Sequence, residues 1–136
     1  VFPTEPAEDR RDHIFAVADE GCTYGTDQPI GVSHDDREDV IAPVFGWLCG
    51  EDGPAPSGMT FYDGDAFPEW QGDLFVGGLV TQRVVHLVVD GDEVREAEPL
   101  LADRQQRIRD VTVGRDGALY VAIDAGDAPI VRLRPA

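Results

Sequence analysis

Near its C-terminal end the chain reads Arg107-Ile-Arg-Asp-Val-Thr-Val113, Arg115-Asp-Gly117 and Ala118-Leu-Tyr-Val-Ala-Ile123. The first and third of these stretches are rich in the β-branched and aromatic residues that strands favour. The Asp-Gly step between them is a turn signal. Together they predict two antiparallel strands joined by a tight turn.

The same rhythm of strand and turn continues on both sides of this stretch. Further strands are predicted at 58–62, 73–79, 83–89, 93–102 and 129–133, with turns at 63–65 and 90–92. The sequence Asp90-Gly91-Asp92 is a favoured hairpin connection. No long amphipathic helix interrupts the pattern, so the sequence predicts an all-β meander of antiparallel strands.

Composition and charge narrow the classes of function. The chain has 136 residues, of which 42% are hydrophobic, enough for one domain with a core. Its 27 acidic and 11 basic residues give a formal net charge of −16, which argues against binding to a nucleic-acid backbone. All the basic residues are arginine, and neither lysine nor asparagine occurs. This composition is typical of a GC-rich genome, and either a halophilic or a merely acidic bacterial protein would show it.

The two cysteines, Cys22 and Cys49, have no C-x-x-C spacing and no neighbouring histidine cluster, which argues against a zinc site. Either a single disulfide or two free thiols is compatible with the sequence. No apolar run approaches the length of a transmembrane helix, and the first residues, Val1-Phe-Pro-Thr-Glu-Pro6, do not resemble a signal peptide.

Three motifs resemble one family of enzymes. They are Pro54-Ala-Pro-Ser-Gly-Met59, Phe67-Pro-Glu-Trp-Gln-Gly-Asp-Leu-Phe75 and the Arg107-Ile-Arg109-Asp110 step. In this order they resemble the closing part of the soluble glucose/sorbosone (aldose sugar) dehydrogenases, which are six-bladed β-propellers that use pyrroloquinoline quinone (PQQ) and calcium. The resemblance is strong over 54–133, faint over 24–47 and absent before that.

The resemblance implies that residues 22–136 are C-terminal propeller blades and that residues 1–21 are an unmatched lead segment. Six blades of four strands need about 24 strands, whereas this chain can supply roughly two blades. It is therefore predicted to be either a fragment of a longer protein or a module that covers its open sheet edges with other copies.

Arg107 and Arg109 are the candidate cofactor-binding residues. Two residues apart on a strand, they are expected to project from the same face. Their forked, permanently charged guanidinium groups suit the carboxylates of PQQ, and the resemblance implies that an Arg-x-Arg-Asp step contacts the cofactor. The alternative is that both arginines balance Asp103 and Asp110 on a solvated surface.

No catalytic residue and no metal ligand is assigned. The resemblance implies a histidine base and calcium ligands from earlier blades, and His13, His34 and His86 do not stand in that context. The two Asp-Gly-Asp sequences are predicted to be turns, since neither has the longer loop of spaced acidic ligands that a calcium site requires. Phe67 and Trp70 are predicted to pack between blades and not to form a sugar platform.

The resemblance thus implies the C-terminal fragment of a quinoprotein that oxidises aldoses at C1 to lactones and is inactive alone. Its partners would be a sugar and an external electron acceptor, and the complete protein would be extracellular or periplasmic. The alternative is a non-catalytic propeller-type module that binds a partner or a second copy through a sheet edge, or a gene remnant.

Overall fold

The computed structural model describes residues 45, 47, 53–91 and 93–135. All the strands described lie in one compact unit, Pro54–Ala136. The seven strands are β1 (Pro56–Phe61), β2 (Leu74–Gly78), β3 (Val84–Asp90), β4 (Glu93–Glu96), β5 (Ile108–Val113), β6 (Leu119–Ile123) and β7 (Ile130–Leu133). Short 3-10 turns occupy Pro68–Trp70 and Ala102–Arg104. Within the described residues, no helix has the length and apolar character needed to cross a membrane.

The strands form two antiparallel sheets in which each strand pairs with the next along the chain. The first sheet has the order β1-β2-β3-β4 and the second the order β5-β6-β7. This confirms the predicted all-β meander. The fourth strand is shorter than predicted, since it ends at Glu96. Beyond it the N–H of Ala97 donates to the carbonyl oxygen of His86, and Leu100 forms an isolated bridge with Val84. Pro99 has no N–H to donate, which accounts for the interruption.

The predicted boundary between residues 21 and 22 falls outside the described residues, as do both cysteines, His13 and His34.

Alternating side chains build the core between the two sheets. In β6, Leu119, Val121 and Ile123 are buried, whereas Tyr120 and Ala122 are partly exposed. This period of two is what a strand with one covered face requires. The buried cluster that the sheets share comprises Tyr62, Phe75, Val84, Ile108, Val111, Leu119, Val121 and Ile123.

The close approach of the two sheets depends on Gly77. A Cβ atom at this position would lie 2.5 Å from Ser57 Oγ and 2.9 Å from Ile108 Cγ2. The Ser57 hydroxyl lies 3.0 Å from the carbonyl oxygen of Gly77 and 2.8 Å from that of Ile108, so it links the first sheet to β5. A glycine at position 77 therefore permits the close approach of β1, β2 and β5.

Tyr62 joins the sheets at their other end. Its ring is 1% exposed, its hydroxyl donates to the carbonyl oxygen of Gly117 at 2.5 Å, and it accepts a hydrogen bond from the N–H of Phe67 at 2.9 Å. Phe67 and Trp70 stack at 3.9 Å and pack, partly buried, against the shared cluster. The prediction that these two aromatic residues pack against the core is confirmed.

The register of the second sheet gives the unit two distinct ends. At one end Ile108 pairs with Ile123, and the backbone of Asp124 donates to the carbonyl oxygen of Arg107. At the opposite end Val113 and Leu133 both pair with Leu119. We call these the arginine end and the turn end.

Candidate functional site

The site lies at the arginine end, where β5 begins and β6 stops. Arg107 immediately precedes β5, and Arg109 is its second residue. Asp124 immediately follows β6. The side chains of Arg107 and Arg109 are 47% and 55% exposed, so both guanidinium groups are accessible to a ligand from solvent.

Both guanidinium groups form hydrogen bonds with one carboxylate, that of Asp124. Arg107 Nε donates to Asp124 Oδ2 at 2.8 Å. Arg109 approaches the other oxygen, with Nη2 at 3.0 Å and Nε at 3.3 Å from Asp124 Oδ1. These hydrogen bonds, that of Arg107 first, hold the pKa of Asp124 below its ordinary value. Two cations on one anion leave a net positive charge at an exposed position.

The strand is irregular at the arginines. The register shifts between Ile108 and Asp110, so one extra residue is accommodated at Arg109. The buried residues of this strand are consequently Ile108 and Val111, three positions apart, and both Arg109 and Asp110 are exposed. Strict alternation would have buried one of the two. Such bulges re-aim side chains at sheet edges and functional sites.

Asp124 is the residue that the sequence analysis did not single out. The structure brings Arg107 and Arg109 together, as their spacing predicted, but onto Asp124 and not onto the proposed surface partners Asp103 and Asp110. The sequence did contain a signal for this pairing. If β5 and β6 are paired residue by residue outward from the turn at 115–117, Asp124 falls opposite Ile108, at the start of β5. The bulge at Arg109 shifts this pairing by one position, to Arg107.

The arrangement can bind an anion with planar, paired oxygens. Within the described part of the chain, the Nη groups of Arg107 donate to no residue, and forked donors of this kind bind carboxylates and phosphates in two-point contacts. The accessibility of the guanidinium pair and the chemistry of its donors therefore fit the carboxylates of a quinone cofactor.

The other candidate residues lie elsewhere. His86 is buried at 8% exposure and its Nε2 lies 2.7 Å from Asp73 Oδ2, in a pair on the first sheet away from the arginines.

Gly91 has a φ of 61°, which fits the predicted turn between β3 and β4. Within 53–91 and 93–135, no three His, Cys, Asp or Glu side chains come together as a group able to hold a metal ion.

Comparison with known proteins places the chain in a family. The model of the glucose/sorbosone dehydrogenases matches residues 8–132. The chain is 47% identical over 93 residues to the aldose sugar dehydrogenase YliI of Escherichia coli (strain K12), a match that covers 68% of this chain and 24% of that protein.

Solved structures give the same result. The apo-form of the soluble aldose sugar dehydrogenase from Escherichia coli is similar with a TM-score of 0.66 and 43% identity, over 75% of this chain and 28% of that one. A glucose dehydrogenase is similar with a TM-score of 0.72 and 34% identity, over 91% of this chain and 35% of that one. The chain thus spans about a quarter to a third of the length of these relatives.

Proposed function

Because the chain belongs to the glucose/sorbosone dehydrogenase family, we propose that it is the C-terminal part of a quinoprotein that oxidises aldoses at C1 to lactones. In this proposal the two antiparallel sheets are two blades of a six-bladed propeller. The packing of β5 against β1 and β2 supports it, since β1 and β5 would be the innermost strands of adjacent blades.

The observation that carries the proposal is the exposed guanidinium pair held on Asp124. Arg107 and Arg109 would hold PQQ through its carboxylates, and when bound this cofactor supplies the oxidant that accepts two electrons as a hydride from the sugar. The contribution of the two arginines is binding and orientation, because a planar two-point contact fixes the direction as well as the position of a carboxylate.

Asp124 has a positioning role in this proposal. A free arginine side chain samples many rotamers, and ordering it on binding costs conformational entropy. The bonds from Asp124 to Arg107 and Arg109 hold both side chains in place before the ligand arrives. Pre-organisation of this kind lowers the cost of binding.

Catalysis would need groups from the rest of the protein. A general base has to lie within hydrogen-bond reach of the proton it removes, and His86 is instead engaged with Asp73. Calcium ligands and the base would come from the other blades, so the chain alone is proposed to bind the quinone without turnover. The sugar and an external electron acceptor are its proposed partners, and an extracellular or periplasmic site is its proposed location.

The open reading frame upstream of the Val1 codon tests this proposal. We expect the frame to continue in the same register. The longer protein, loaded with PQQ and calcium, should then oxidise aldoses with a dye as electron acceptor. Replacing both arginines, as Arg107→Ala/Arg109→Ala, should raise the PQQ concentration needed for half-maximal activity by at least about tenfold, since charged hydrogen bonds are lost.

The matched control is Arg104→Ala/Arg115→Ala, which removes the same charge from two exposed positions outside the site. A stop codon directly upstream, or equal PQQ dependence of the two double variants, would contradict the proposal.

A further inference from the structure

A second concave site lies where the segment after β4 and the end of β7 line one side of the unit. A groove of about 540 Å³ opens beside the first sheet and reaches the end of β7, and its walls include Phe67, Trp70, His86, Leu100 and Leu133. This volume falls within the range of about 300–1,000 Å³ that small-molecule sites occupy. No role in the proposed sugar oxidation involves these residues.

The groove is separate from the arginine site. Leu133 pairs with Leu119 at the turn end, whereas Asp124 follows Ile123 at the arginine end. Ile123 lies four positions after Leu119, which corresponds to about 13 Å along a strand. Arg107, Arg109 and Asp124 do not line the groove, so the two sites share no residue.

Three rings give the groove an aromatic surface. Phe67 stacks on Trp70, with centroids 3.9 Å apart and planes at 19°. The ring of His86 stacks on buried Phe75 at 4.5 Å and meets Trp70 edge-on at 5.7 Å. Because Phe67 and Trp70 are only partly buried, part of their ring surface is available to stack with a planar ligand.

His86 supplies a fixed polar contact in this apolar surface. The side chain of Asp73 is 8% exposed; its Oδ2 lies 2.7 Å from His86 Nε2, and its Oδ1 accepts the N–H of Val89 at 3.3 Å. A carboxylate only accepts hydrogen bonds, so Nε2 carries the hydrogen. In the neutral ring the other nitrogen, Nδ1, is then an acceptor. Asp73 thus fixes both the orientation and the tautomer of His86.

The balance of polar and apolar groups selects the ligand. Glu98 and Arg134 line the groove as exposed residues of opposite charge, so the groove does not favour a net charge on its ligand. A pyranose would bring several hydroxyl groups against apolar walls such as Leu100 and Leu133, and each one left unpaired would cost free energy. A ring with a single hydroxyl needs only one acceptor, which His86 provides.

We propose that this groove is a binding site for a small, neutral, hydroxylated aromatic molecule, whose ring stacks against Phe67 and Trp70 and whose hydroxyl donates to His86 Nδ1. The inference is independent of sugar oxidation, since it rests on residues that do not belong to the arginine site.

Binding of 4-methylphenol to the purified chain at pH 8 tests the inference, with toluene and methyl β-glucoside as comparison ligands. NMR should show saturable shifts of the Trp70 indole and Leu133 methyl signals with 4-methylphenol. Toluene, which lacks the hydroxyl, should bind about three- to tenfold more weakly, as expected for one hydrogen bond. No saturation with 4-methylphenol, equal binding of toluene, or preferred binding of the glucoside would each overturn the proposal.

The variant His86→Arg separates the contact from the fold. An arginine can still donate to Asp73 but has no acceptor for the ligand. We expect it to weaken 4-methylphenol binding to the level of toluene. Arg115→Ala, at a position that does not line the groove, should leave binding unchanged. If His86→Arg unfolds, the shifts and the toluene comparison on the unsubstituted chain still decide. A folded His86→Arg chain that binds 4-methylphenol as well as the original would overturn the assignment.

Discussion

Substitution of Tyr62 by phenylalanine should destabilise the unit by about 2 kcal/mol, because it removes one buried and one partly buried hydrogen bond, whose net values are about 0.5–1.5 kcal/mol each. The ring itself remains, so no cavity is created and the loss comes from the hydroxyl alone. This hydroxyl bonds the carbonyl oxygen of Gly117 at 2.5 Å and the N–H of Phe67 at 2.9 Å. Neither group has bulk water to replace the hydroxyl, since the tyrosine side chain is 1% exposed.

Urea unfolding followed by tryptophan fluorescence and by circular dichroism measures this effect. A loss of about 2 kcal/mol corresponds to a fall in Tm of about 8–16 °C for a unit of this size. Tyr120→Phe is the matched control, because that hydroxyl bonds Asp116 at 3.0 Å on the exposed surface, and it should cause a much smaller change. Equal stability of the Tyr62→Phe and original chains would refute the view that this hydroxyl locks the two sheets together.

Two further predictions concern packing and charge. Gly77→Ala should cost about 1–3 kcal/mol, because its new methyl group would press on neighbouring side chains across the sheets, while Gly126→Ala, where nothing lies within 4 Å of the new Cβ, should leave the urea midpoint nearly unchanged. The hydrogen bond from Arg132 is the largest of several contacts that lower the pKa of Asp116 below its ordinary value of 3.8. The hydrogen bonds from Arg107 and Arg109 likewise lower the pKa of Asp124. A carboxyl group whose pKa is lowered by folding stabilises the protein above its unfolded pKa, and this contribution is lost as the pH falls through the folded value. Asp116→Asn should therefore flatten the decline in stability below about pH 4, and an unchanged acid profile would contradict the assignment.

Much of the fold could be predicted from the sequence because its signals are local. The Arg115-Asp-Gly117 turn and the alternation of Leu119, Val121 and Ile123 follow from the preferences of a few neighbouring residues. The shortened β4 shows where the local signals end. Residues 97–102 were predicted to continue this strand, but the pairing of this segment with β3 is limited to a hydrogen bond from Ala97 to His86 and a bridge between Leu100 and Val84.

The site was partly predictable for the same reason. That Arg107 and Arg109 lie close together followed from their spacing. That Asp124 is their partner depends on the register of β5 and β6, which a one-residue bulge changes. The pairing of His86 with Asp73 was equally invisible, since it joins residues 13 apart through a sheet contact that no local pattern encodes. Register and bulges are set by packing across the sheet, and a single sequence does not state them.

A titration of the purified chain with PQQ tests the central claim that Arg107 and Arg109 form a quinone-carboxylate site. It should be done in high salt and with calcium present, on the original chain, on Arg107→Ala/Arg109→Ala and on the control Arg104→Ala/Arg115→Ala. We predict saturable binding by the original and control chains and loss of binding in the first variant. Binding that survives removal of both arginines, or that no form of the folded chain shows, would contradict it.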